Sequence, residues 1–175
     1  MRFHRRPRTS RRLLNELVGN RTDQHAGAEG QDQAEQGQPA GVRHQFGRPL
    51  GMYSHGMIAR GGELVVVAGQ VGMTADGRVA GTDIGSQTRQ ALENVRTVLE
   101  SFGATMADVV DETVFVTDID DFLGRGDELF GLRAEMFGGD PQISQTLVQV
   151  ARLGSADWLL EIKCIARVVD AAQAG

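Results

Sequence analysis

Between Asp83 and Phe102 the apolar residues Ile84, Ala91, Leu92, Val95, Val98, Leu99 and Phe102 fall at helical spacing, so one face of an α-helix collects them. Asp83 is placed to cap its start, and Gly103 stands where a left-handed residue ends a helix. Ahead of it, Met57 to Arg60, Gly61-Gly62 and Glu63 to Val71 read as two strands joined by a two-residue glycine turn. Ala75-Asp76-Gly77 marks another turn. Beyond the helix, Val109 to Thr117 is a β-branched strand. A second helix is expected from a cap at Asp121 through Phe122, Leu129, Phe130 and Phe137 to Gly138-Gly139. Gly124, Gly126 and Gly131 weaken it by about 1 kcal/mol each relative to Ala. Thr146 to Leu153 and Trp158 to Val169 complete the strands.

The order ββαβαββ predicts an α+β (α/β layer) fold of two helices on one face of a mixed sheet of five or six strands. Two strands have more than one greasy side. In the last, Leu160, Ile162, Cys164, Ala166 and Val168 share a face, while Leu159 and Ile165 stand opposite beside Glu161 and Lys163. Leu64, Val66 and Ala68 oppose Val65 and Val67 in the same way. Two helices cover one side only, and each aliphatic side chain left wet forgoes about 1.5 to 3 kcal/mol. Another copy of the chain is expected to cover the second side, and a polar residue pointing into that seam suits a ligand site.

The 175 residues suffice for one domain with one core. No apolar run approaches the length of a membrane span, and one Cys makes no intrachain disulfide. The net charge of −5 is uneven. Seven Arg face Glu16 alone in residues 1–21, so the body is acidic and poorly suited to phosphate backbones. Residues 1–45 read as a disordered extension, Arg-rich and then Gln/Glu/Gly-rich; a dispensable or misassigned extension is the favoured explanation, with an address signal or a basic arm as the alternatives. The folded domain is expected over 46–170, with a flexible tail at 171–175.

Most site chemistries fail on spacing. His4, His25 and His44 lie in the extension and His55 stands alone, so no metal set is expected. No glycine-rich phosphate loop or nucleophile elbow occurs. Cys164 has inward parity and reads as a small core residue.

A series of segments does carry a resemblance. Gly51-Met-Tyr53-Ser-His, Leu64-Val-Val-Val-Ala-Gly-Gln-Val71, Gln87-Thr-Arg-Gln-Ala-Leu-Glu-Asn94, Thr113-Val-Phe-Val-Thr-Asp118, Val148-Gln-Val-Ala-Arg-Leu153 and Leu160-Glu-Ile162 resemble the RidA (YjgF) family, in family order from about Tyr53 to Val169. The resemblance implies a chorismate-mutase-like fold, a homotrimer with clefts between subunits, and cofactor-free hydrolysis of reactive enamine or imine acids to 2-oxo acids and ammonia. An older label, endoribonuclease, finds no support in the acidic body.

By the same resemblance Tyr53 is the cleft tyrosine, Glu161 handles the attacking water, and the Gly69 backbone helps hold the substrate carboxylate. Ala68 stands for a usual Ser, and Gly126 stands about where Asn is usual. The family's substrate-binding Arg is missing. Counting back from Val148 puts Gln145 in its place, and counting forward from Pro141 puts Ile143 there. Gln145 and Leu147 are carried over as substrate-binding positions. A neutral amide grips a carboxylate with about half the strength of a guanidinium. Arg48, Arg125 or Arg133 remains available to reach in from a loop, a helix or a neighbouring subunit.

Three functions stay open: a cofactor-free deaminase or related hydrolase using Glu161 and Tyr53 on a small-molecule substrate; a trimer that binds a small metabolite without turning it over; and a nucleic-acid or chaperone-like role through residues 1–21. A cytoplasmic protein without membrane partners is expected.

Overall fold

The computed structural model describes residues 61–169 together with Ala59. The expected 1–45 extension, the strand over Met57–Arg60 except for Ala59, Arg48, Tyr53, His55 and the 171–175 tail lie outside the described residues. Gly61 and Gly62 both have positive φ, 63° and 72°, the backbone expected of the two-glycine turn.

Strand β1 (Glu63–Val71) leads through the Ala75-Asp76-Gly77 turn, closed by the Gly77 amide on the Thr74 carbonyl at 2.9 Å, to helix α1 (Ile84–Ser101). Asp83 caps α1 by accepting from the Ser86 amide at 3.0 Å and the Ser86 hydroxyl at 2.7 Å. At the other end the Gly103 amide reaches the Glu100 carbonyl (3.1 Å) and the Ala104 amide reaches that of Leu99 (2.9 Å), a Schellman ending with Gly103 at φ 74°. Both ends are where the sequence places them.

Two polar side chains of α1 work as fasteners. Gln87, buried, donates to the Gly81 and Asp157 carbonyls (3.2 and 2.9 Å) and accepts from the Leu159 amide (2.9 Å). Asn94 donates to the carbonyls of Val71 and Met73 (3.0 and 2.8 Å) and so holds the end of β1.

A single 3-10 turn precedes strand β2 (Val109–Val116). The expected second helix is instead a pair, α2 (Ile119–Gly124) and α3 (Gly126–Phe137), and the cap is Asp118 rather than Asp121. Asp118 accepts from the amides of Asp120 and Asp121, both at 3.0 Å. The break falls at Arg125 between Gly124 and Gly126, where two residues without side chains leave least to hold a continuous helix.

Strand β3 (Ser144–Gln149) starts earlier and stops sooner than Thr146–Leu153, because its parallel partner β2 ends at Val116. Strand β4 (Leu160–Val168) completes the sheet in the order β1-β4-β2-β3, with β2 and β3 parallel and the other pairs antiparallel. The architecture is the expected α+β layer with a mixed sheet; four of its strands lie among the described residues.

One sheet face is closed by the helices. Val67, Val114, Val116, Leu160, Ile162, Cys164 and Ala166 bury against Leu92, Val95, Leu99, Leu129 and Leu132. The opposite face has no cover among the described residues: Leu64 and Val66 are each 63% exposed.

Candidate functional site

The open face of β4 carries Glu161, Lys163 and Ile165, alternating with buried Leu160, Ile162, Cys164 and Ala166. Glu161 is half-buried, opposite Phe115 of β2 and Val71 of β1. Phe115 in turn pairs with Val148 of β3. Lys163 is exposed and pairs with Thr113. The two charged side chains thus stand side by side on a face that also carries Leu64, Val66, Phe115, Val148 and Ile165, together with the polar Thr113, Asp111 and Arg167.

A bulge shapes the ground beneath them. Between Val67 and Gln70, β1 runs through Ala68 and Gly69, whereas β4 spends only Lys163 between Cys164 and Ile162. The Glu161 side chain lies across Gly69: a Cβ there would sit 2.8 Å from Glu161 Cγ and closer still to the carboxyl group. Among the described residues, the side chains of Glu161 and Lys163 make no hydrogen bond or ion pair. Ala68 is exposed, and its carbonyl accepts from Gln70 Nε2 at 3.1 Å.

The other carried-over positions are on the helix side. Gln145 pairs with Glu112 and donates from Nε2 to Glu112 Oε2 at 2.8 Å. Arg133 Nη1 donates to the same oxygen at 2.5 Å, with both side chains almost wholly buried. Leu147 packs against the core. Within one chain, then, Glu161, Gly69 and Ala68 come together, while Gln145 and Leu147 are separated from them by the thickness of the sheet. Gly126 is buried at the start of α3.

Arg125 and Arg133 also lie on the helix side. Arg125 is engaged by Asp83, Asp121 and Glu128 at 3.4 to 3.6 Å. Arg133 serves Glu112 and stacks over Phe137, 5.2 Å from the ring centre. On the Glu161 face the nearest cation in sequence is Lys163; Arg167, further along that face, has interactions of its own.

The Glu112–Arg133–Gln145 cluster escaped the sequence reading, although signals for it exist. Glu112 shares parity with Val114 and Val116, and Arg133 falls between Leu129 and Phe137 at helical spacing. A charge on each of two apolar stripes is the mark of a buried pair. Cys164 is buried as expected, and burial, then Glu112 and Asp111, push its thiol pKa up to about 12. No group of three His, Cys, Asp or Glu among the described residues is arranged to hold a metal. Among them, no helix is long and apolar enough to cross a membrane.

A family model described as Endoribonuclease L-PSP matches residues 44–168. The chain belongs to the RidA (YjgF) family. A RutC family protein of Pyrococcus horikoshii is 37% identical over 120 residues, covering 68% of this chain and 89% of the relative. A 2-iminobutanoate/2-iminopropanoate deaminase of Salmonella typhimurium is 32% identical over 117 residues, covering 67% and 88%. Among solved structures, the Rid family protein YyfB of Yersinia pestis superposes with a TM-score of 0.58 at 28% identity, over 66% of this chain and 86% of that one. The RidA-like fold and the family named on the segments from Tyr53 to Val169 therefore stand.

Proposed function

We propose that copies of this chain assemble as a homotrimer through the open sheet face and hydrolyse a small reactive imine, enamine or related carbonyl metabolite in the clefts between them, without a cofactor and in the cytoplasm. One observation carries the reading: Glu161 is a half-buried carboxylate, without a partner among the described residues, held over the Gly69 bulge on the open sheet face. Deaminase relatives at 32% and 31% identity support the same chemistry.

Water adds to the C=N carbon while Glu161 takes one of its protons and passes it to nitrogen; as the C–N bond breaks, the remaining hydroxyl proton leaves oxygen for the departing nitrogen, and the products are a carbonyl compound and ammonia. Packing of a second copy over Leu64 and Val66 excludes bulk water and strengthens the pull of the carboxylate. Tyr53 lines the cleft in this proposal, and the Gly69 backbone lies against the ligand.

The second reading is a trimer that binds a metabolite without turnover. It is favoured by Gln145, whose amide is committed to Glu112 instead of the Glu161 face. An amino-acid oxidase that generates an imino acid in the presence of semicarbazide separates the two. The hydrolysis reading expects the protein to lower semicarbazone yield and Glu161→Gln to abolish the effect. Equal yields with wild type, variant and no protein defeat it for that imine.

A further inference from the structure

We infer that the Arg133 guanidinium, on the helix side of the sheet, is a binding site for the carbonyl oxygen of a small uncharged amide. A buried arginine normally spends its N–H groups, because each one left over keeps its desolvation cost. Arg133 spends only Nη1. That atom donates to Glu112 Oε2 at 2.5 Å, while Nε and Nη2 are buried and have no hydrogen-bond partner. The Arg133 side chain is 3% exposed and that of Glu112 1%, so bulk water does not answer the two donors. Nε and Nη2 form one edge of the guanidinium, on which two N–H bonds run parallel toward the same acceptor.

Charge decides what that edge takes. Glu112 already answers the guanidinium, so a carboxylate or phosphate bound there would set two negative charges against one positive charge, out of water. An uncharged acceptor adds none. Water is uncharged too, yet it brings two protons that need acceptors of their own, whereas a carbonyl oxygen brings none. Gln145 Nε2 and Arg133 Nη1 converge on the same Glu112 oxygen, which holds the free edge in a fixed direction. Phe137 stacks on the guanidinium, 5.2 Å from its ring centre, and offers an apolar surface to the carbon end of the amide. The ring is half-buried in the last turn of α3, which puts the guanidinium one aromatic side chain below the surface. None of this depends on turnover at Glu161.

The test uses the full chain with isotope-labelled arginine, in which a buried Nε–H gives a sharp magnetic resonance signal. It is titrated with acetamide and with acetate, which share a shape and differ in charge. Arg133→Lys keeps a cation for Glu112 and removes the free edge, and the signal it deletes is that of Arg133. Acetamide should move this signal saturably, and acetate about 10-fold more weakly or not at all. The Lys variant should lose the response of the Phe137 ring to acetamide. Should that variant lose its native circular dichroism, Phe137→Leu assigns the signal through the lost ring current, and the wild-type titration decides alone. An Arg133 signal indifferent to acetamide would overturn the assignment, as would one that answers acetate equally, which makes the edge an anion seat. A long-lived water at Nε–H that acetamide leaves in place overturns it as well, since the edge then holds structural water only.

Discussion

The Glu161 side chain crosses the backbone of Gly69 so closely that the strand has no room there for a β-carbon. Gly69→Ala should therefore displace the carboxylate while the helix-covered core stays untouched. Misplacing a reacting group by about 1 Å costs on the order of a hundredfold in rate. A fall of that size in kcat/KM, with an unchanged far-ultraviolet spectrum, is the expected result; full activity would show that the carboxylate tolerates displacement.

The buried ion pair makes a different kind of prediction. Removing one member, as in Arg133→Met or Glu112→Leu, strands the other charge and should cost about 3 to 5 kcal/mol of stability. The double variant removes both charges and should recover most of that loss. Urea unfolding of the four proteins in the cycle measures the coupling, and additive losses would show that the pair does not act as one unit.

Cys164 lies under the helices with its thiol pushed up to about 12. It should resist an aromatic disulfide reagent at pH 8 in the native protein and react at once in guanidinium. Fast reaction in the native state would mean that this part of the core opens readily.

Helix α1 should show a pH signature at its cap. The Ser86 amide, then the Ser86 hydroxyl, then the nearby Arg125 charge hold the Asp83 carboxyl below its ordinary value of 3.8. A lowered value in the folded state means stability that is present above the unfolded carboxylate range and lost as pH falls through the folded one. Asp83→Ala should cost about 1 kcal/mol at pH 7. The gap from wild type should narrow below about pH 4. Thermal melts across pH 2.5 to 7 follow it, and a gap independent of pH would leave the carboxylate's charge without a part in the cap.

If the open face is a seam between copies, a charge placed on it should separate them. Val66→Glu is expected to convert the assembly to single chains, read by light scattering behind gel filtration. Wild type running as single chains at micromolar concentration would itself end the trimer proposal.

How far the sequence foretold this molecule depended on how local each signal was. Helix α1 was legible because its stripe, its Asp83 cap and its Gly103 ending all lie within the segment itself. The two-sided character of β1 and β4 was legible for the same reason, since parity needs only the strand. The break at Arg125 was harder: glycines at 124 and 126 weaken a helix, but whether they divide it depends on what α3 packs against. The fate of Gln145 was not legible. Its side was set by pairing with Glu112, 33 residues away, and its bond by an Arg from a helix, so no window of sequence contains the answer. Gln87 is similar, joining Gly81 to residues about seventy positions on.

The bulge at Ala68–Gly69 has one more implication. Val67 meets Cys164 and Gln70 meets Ile162 on either side of it, so the ladder would close with one residue fewer and every other partner retained. The supernumerary residue therefore answers to the shape of the outer surface rather than to strand pairing. A chain shortened by Ala68 should zip into the same sheet, flatter at that spot, with the acid of β4 facing an unbroken row of peptides in place of a step.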